Sequence, residues 1–366
     1  MGTEAFRVGI LTSGGDCPGL NAVIRAVVAA SCQRGWEVYG FIDGFEGLLS
    51  PVRYRILEEP ATAGIASLGG TILGTTNRGR FATRVGLGEI QRIPKTVLDE
   101  VWETVEGLQI GGLICIGGDG SLTAAQQLFE AGLPIVGVPK TIDNDISATS
   151  ISFGFYSAVE FVTQALDRLR STAISHRRVM VVEVMGRYSG WIALFGGLAG
   201  GADVILLPEI PFHYEKIAHE VRKRVAEGAL QTMIVVAEGA RPAHGQLVTQ
   251  DEDTEKGLIG EIRLGGIGRH VASMIERMTS RESREVVLGH LQRGGPPTAL
   301  DRNLGMLFGV AAVRLVEEKR FGEMVAFGNE RVGSVSIQEA VRQTKTVPPD
   351  CEEIVAARAV GIAFGN

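Results

Sequence analysis

Residues Gly111–Gly132 read GGLICIGGDGSLTAAQQLFEAG. The run Leu113–Ile116 is apolar throughout, which predicts a strand buried on both faces. Gly117 and Gly118 open a turn, and TAAQQLFEAG reads as a helix with a glycine stop. The same order recurs outward in both directions. Towards the N-terminus, FRVGILT (Phe6–Thr12) runs into TSGGDCPG and then the helix-like Asn21–Arg34. Towards the C-terminus, PIVGVPKTIDND predicts a strand over Pro134–Pro139 that opens into a polar loop. VMVVEVMGR and QTMIVVAEGARP are two further buried strands, each ending in glycine and charge. Strands alternating with helices imply a mostly parallel sheet covered on both faces. Ligands of such sheets bind beyond the carboxyl ends of the strands. The unusual glycines, carboxylates and arginines are expected there, each just after a strand.

Length and composition bound the rest. A chain of 366 residues suggests two α/β domains, and 45% hydrophobic with 21% charged residues suits a soluble globular enzyme. Its 49 glycines against only 13 prolines point to many tight turns. A net charge of −6 argues against a nucleic-acid or anionic-membrane partner, so an anionic substrate needs a local cluster of cations. Cys17, Cys32, Cys115 and Cys351 form no CxxC pair, which argues against a disulfide framework or structural zinc. No signal layout and no apolar run of about 18 residues are visible, and Trp191–Leu207 reads as buried helix and strand. A reducing, cytoplasmic setting is expected.

Four motifs carry chemistry. In TSGGDCPG, Gly14 and Gly15 after a strand let backbone amides approach a phosphate, and the next helix N-terminus adds its dipole. A Gly-Gly turn alone is equally a plain tight turn, and the segment lacks the common P-loop pattern. In IGGDGS, Asp119 is placed to hold a magnesium ion bridging phosphates. GGDG fits both phosphofructokinases and the NAD kinase and diacylglycerol kinase group. PKTIDND puts Thr141, Asp143 and Asp145 on one loop, its carboxylates two residues apart so that both can face one site. One can take a hydroxyl proton while the other organises a metal. The fourth motif is cationic: Arg178, Arg187, Arg284, His290 and Arg293 suit a dianionic sugar phosphate. His290 fits a satisfied core histidine equally well.

Taken together, TSGGDCPG, GGDGS, PKTIDND, HRR, VEVMGRYSGW, VAEGA and VLGHLQRGG resemble, in that order, the 6-phosphofructokinase family from about Val8 to Arg302. The resemblance implies two Rossmann-like three-layer α/β domains with mostly parallel sheets and the active site in the interdomain cleft. The donor domain would be 1–154 plus 292–342, and the sugar-phosphate domain 155–291 plus 343–366. It further implies magnesium-dependent transfer of a phosphoryl group from ATP, or alternatively pyrophosphate, to the 1-hydroxyl of fructose 6-phosphate. Asp143 would be the base, with Thr141 and Arg187 steadying the transferring group. Gly14, Gly15, Arg78, Gly118, Asp119, Gly120, Ser121 and Lys140 would meet the donor, and Asp119 and Asp145 the metal. Met185, Gly186 and Glu238 would hold the sugar beside Thr141, Asp143 and Arg187, and Arg178, Arg284, His290 and Arg293 its 6-phosphate. Arg178 and Arg284 would reach in from a neighbouring subunit, which implies a dimer or tetramer with shared sites. ATP-type relatives typically carry glycine at positions 120 and 140, and pyrophosphate-type relatives aspartate and lysine. This chain has Gly120 and Lys140, one marker of each pattern. Steric room at 120 favours ATP.

Overall fold

A computed structural model describes residues 5–76, 79–81, 84–85, 89–244 and 265–366. In chain order the strands are β1 Arg7–Thr12, β2 Glu37–Phe41, β3 Tyr54–Ile56, β4 Arg84–Val85, β5 Glu89–Ile90, β6 Ile110–Gly117 and β7 Ile135–Thr141. They continue as β8 Phe153–Gly154, β9 Val179–Val184, β10 Val204–Leu206, β11 Thr232–Ala237, β12 Ser283–Val287, β13 Glu323–Gly328 and β14 Arg331–Ser336. The helices are α1 Leu20–Cys32, α2 Glu59–Thr62, α3 Lys95–Gly107, α4 Asp119–Glu130, α5 Phe155–His176 and α6 Trp191–Ala199. After them come α7 Tyr214–Ala226, α8 Ile267–Thr279, α9 Ala299–Glu317, α10 Ile337–Ala340 and α11 Glu352–Ala359. The expected β-α alternation is therefore observed. The strand expected over Pro134–Pro139 runs on to Thr141 because Lys140 and Thr141 pair with β8.

The strands form two main sheets. The larger has the order β14-β13-β7-β6-β1-β2-β3, with β8 beside β7, and the smaller runs β10-β11-β9-β12. Every pairing in the smaller sheet is parallel, as are β1 with β2 and β6, and β7 with β6 and β13. Alternation along each strand sorts side chains onto opposite faces. Ile114, Ile116, Val136 and Val138 enter one core while Leu113, Cys115 and Ile135 enter another. In the smaller sheet, Val182, Val184, Met233 and Val235 join the same core as Ile114 and Val136, and Val181, Ile234 and Val236 line a third. The middle core is thus common to both sheets. Fully burying each of these side chains contributes about 1.5–3 kcal/mol.

One buried carboxylate sets the approach of two long helices. Asp301 Oδ2 accepts from Ser157 N at 2.7 Å and Ser157 Oγ at 2.6 Å, fastening the start of α9 to the start of α5. Among the described residues no helix is long and apolar enough to cross a membrane.

Candidate active site

The strands of both sheets end in the loops that carry the motifs. After β1, Ser13 N donates to Ile116 O at 2.9 Å, so the loop begins fastened to β6. Gly14 takes φ +82°, a left-handed conformation that glycine adopts without steric penalty. A Cβ on it would lie 3.1 Å from Ser121 Oγ and 3.5 Å from Lys140 Nζ, so three distant parts of the sequence meet at this turn. Lys140 is buried, and its Nζ donates to the carbonyl of Gly15. Burial pulls its pKa down, and the nearby Arg293 guanidinium adds to the effect. Gly118 caps α4, Asp119 is its first residue, and the space where a Gly120 side chain would start is open to at least 4 Å. A helix N-terminus beside a glycine turn suits phosphate oxygens.

The loop after β7 is organised by Thr141. Its Oγ1 accepts from Asp143 N and donates to Asp145 Oδ1, both at 3.0 Å. The two hydrogen bonds curl the loop so that both acidic residues return to one threonine. Asp143 Oδ1 is closed off from solvent and has no hydrogen-bond partner. Burial pushes the Asp143 carboxyl up to about 8; Asp145 and Glu238 add to the rise, while Arg293 and Lys140 oppose it. A carboxyl whose pKa is moved towards neutrality in this way suits general acid–base chemistry.

The smaller sheet supplies the facing wall. Met185, Gly186 and Arg187 follow β9, and Glu238 follows β11 with its amide donating to Val184 O at 2.9 Å. Gly239 N donates to Gly186 O at 3.1 Å, which packs these two turns together. Burial raises the Glu238 carboxyl; Glu183 adds to this, and Arg187 and Arg293 oppose it. Ser189 Oγ donates to Asp143 O at 3.2 Å, a direct tie between the walls. Arg293 ends the 3₁₀ turn Gly289–Arg293, and its guanidinium occupies the space a side chain on Gly15 would need. It therefore stands between Gly15, Lys140, Asp143 and Glu238. His290, on the same turn, is exposed, which excludes the core-histidine alternative.

Arg178 and Arg284 lie elsewhere and correct the expectation that each arginine follows a strand. Arg178 precedes β9, and Arg284 is the second residue of β12, in register with Met180. They sit towards the amino ends of their strands, Arg178 about 20 Å and Arg284 about 10 Å from the carboxyl ends at about 3.3 Å per residue. The reason is local: Arg177 ends α5 with φ +54°, and the chain turns straight into β9. Arg178 grips Glu282 through Nε at 2.7 Å and Nη2 at 2.8 Å, and Arg284 pairs with the same carboxylate. Arg78 lies outside the described residues.

Sequence reasoning missed the supports. Gln292 is buried; its Oε1 accepts from Met185 N at 3.3 Å, and its Nε2 donates to Gly289 O at 3.0 Å. Glu209 Oε1 accepts from Gly190 N at 3.0 Å and from Val347 N at 2.8 Å. Only the Gln in HLQRGG was signalled by a motif. Among the described residues no three His, Cys, Asp or Glu side chains gather into a metal cage. A magnesium ion bound through phosphates needs only one or two carboxylates, so Asp119 and Asp145 fit it as a donor set.

Glycine turns suited to phosphates at strand ends and a buried, raised-pKa carboxyl with the Arg293 guanidinium and Lys140 beside it define a phosphoryl transferase on a two-sheet α/β frame. A family model described as Phosphofructokinase matches residues 7–316, and the chain belongs to that family. It is 48% identical to an ATP-dependent 6-phosphofructokinase of Chloroflexus aggregans over all of this chain and 99% of that protein. It is also 47% identical to a pyrophosphate–fructose 6-phosphate 1-phosphotransferase of Amycolatopsis methanolica, over 94% of this chain and 97% of the other. The phosphofructokinase structure from Saccharomyces cerevisiae superposes with a TM-score of 0.78 at 30% identity, over 92% of this chain and 45% of the yeast chain.

Proposed function

We propose that this chain is a magnesium-dependent 6-phosphofructokinase, moving the γ-phosphoryl of ATP to the 1-hydroxyl of fructose 6-phosphate to give fructose 1,6-bisphosphate. The observation that carries the mechanism is Asp143, with a buried, unpartnered Oδ1 and a raised pKa beside Arg293 and Lys140. Asp143 in its carboxylate form, which Arg293 and Lys140 favour, takes the proton of the sugar 1-hydroxyl as that oxygen bonds to phosphorus and the bond to the leaving phosphate oxygen breaks. Thr141 and Arg187 steady the transferring group. Asp119 and Asp145 hold the metal, which when bound neutralises charge on the donor phosphates. Gly14, Gly15, Gly118, Gly120 and Ser121 receive the donor, and Met185, Gly186, Glu238, His290 and Arg293 receive the sugar phosphate. The transfer is direct, with no phospho-enzyme, because positioning and electrostatics suffice.

The donor domain comprises 1–154 plus 292–342 and the sugar domain 155–291 plus 343–366, with the site between them. Arg178 and Arg284, remote from Asp143 within one chain, complete a neighbour's pocket in a homo-oligomer. The enzyme works in the cytoplasm, in glycolysis. Open space at Gly120 favours ATP. Pyrophosphate is the second reading, favoured by Lys140 and by the 47% identity to the Amycolatopsis enzyme. A donor panel tests both: turnover of fructose 6-phosphate with MgATP is expected, and turnover with magnesium pyrophosphate alone would reverse the donor assignment.

A further inference from the structure

The loop that carries Asp143 is held from behind by a residue that no motif singled out. Lys345 lies beyond the 7–316 span of the family model. Its Nζ donates to Asn144 Oδ1 at 2.9 Å and to the carbonyls of Thr149 and Ser150 at 3.0 Å each. An ammonium has three donors, and all three are used. Its backbone amide donates to Asp145 O at 2.8 Å, and its carbonyl accepts from Trp191 Nε1 at 3.1 Å. Thr344 bridges Ile146, and Val347 N reaches the Glu209 carboxylate that also holds Gly190. A strap of four residues thus binds the loop of one sheet to the Gly186–Gly190 loop of the other.

Asn144, between the two aspartates, has φ +50°, a left-handed conformation that asparagine tolerates at some cost. Its Oδ1 accepts from both Lys345 Nζ and Ser152 N, at 3.2 Å for the latter. The inverted peptide that lets Asp143 and Asp145 both return to Thr141 is therefore clamped through one side-chain oxygen. We propose that Lys345 is a positioning residue for phosphoryl transfer, fixing the Asp143 carboxylate through Asn144 without touching either substrate. The proposal rests on the reading of Asp143 as the base.

The test compares full-length wild type, Lys345→Met, Lys345→Gln and Asp143→Asn with fructose 6-phosphate and MgATP, and in parallel with magnesium pyrophosphate. Both Lys345 variants should lose about 10²-fold in kcat, the scale of a roughly 1 Å misplacement of a reacting group. Fructose 6-phosphate affinity by calorimetry and KM should stay near wild type, a split that general destabilisation does not produce. Ethylamine should restore part of kcat to a third variant, Lys345→Ala, and none to Asp143→Asn. Should the methionine variant not fold, the glutamine variant, whose amide is one atom shorter and has two N–H groups for three acceptors, supplies the reading. A near wild-type kcat in either folded variant overturns the proposal, as does a loss carried wholly by KM. A near wild-type rate in Asp143→Asn overturns the base reading instead, and the role of Lys345 falls with it.

Discussion

The guanidinium of Arg293 lies where any side chain on Gly15 would have to be. The residues are 278 positions apart in sequence, yet they form one surface, with Lys140 Nζ bonded to the Gly15 carbonyl beneath it. Gly15→Ala should therefore displace Arg293 instead of unfolding the chain. We expect kcat/KM to fall by about 10²-fold, the scale of a displaced reacting group. Steady-state kinetics beside thermal unfolding checks this, and a near wild-type rate would show that Arg293 moves aside without consequence.

Asp143→Asn should keep sugar affinity nearly intact and lower kcat by about 10²–10⁴-fold, since only the proton acceptor is lost. Calorimetry with fructose 6-phosphate and single-turnover rates separate the two quantities.

The same carboxyl also predicts how stability varies with pH. Its folded-state pKa, about 8, is above that of an unfolded aspartate, so the native state binds more protons than the unfolded one between the two values. This group's contribution is therefore lost as pH rises from about 4 to 8. In chelator and without sugar, Asp143→Asn should melt a few degrees higher than wild type at pH 8, the gap closing towards pH 5. An unchanged or lowered melting temperature at pH 8 would contradict the isolation of Oδ1.

Gly120→Asp should remove most ATP-dependent turnover by placing a carboxylate in the open space after Asp119. Pyrophosphate turnover should suffer less. From the sequence alone, Lys140→Gly is expected to leave ATP usable. The buried bond from Lys140 to Gly15 O revises this, since the variant removes a prop of the Gly14–Gly15 turn and should weaken both donors. A donor panel on the two variants tests the contrast.

Arg284→Ala and Asp143→Asn should each be nearly inactive as homo-oligomers, and mixed after subunit exchange they should recover part of the activity. The motivation is the placement of Arg178 and Arg284 at the amino ends of β9 and β12. No recovery once exchange is verified would count against shared sites.

What the sequence disclosed follows from how local the physics is. TSGGDCPG, GGDGS and PKTIDND each carry their turn chemistry within a few residues, so strand, turn and candidate side chain were legible together. Arg178 was misread because HRR ends a helix with a left-handed residue, and nothing in three letters says which end of the next strand it serves. The supporting contacts of Gln292, Glu209 and Lys345 were invisible for a different reason. Each acts across 100 or more residues on a backbone group or on Asn144, and no pattern records such a meeting.

The strap also gives the protein a timetable. Residue 145 leaves the ribosome long before Lys345, which follows Asn144 by 201 positions. At about 5–20 residues per second, roughly 10–40 s separate the two. For most of that interval β7 also lacks its neighbour β13. A nascent chain already carrying every donor-loop motif thus remains without its clamp until residue 345 is made, and competence does not grow in proportion to length.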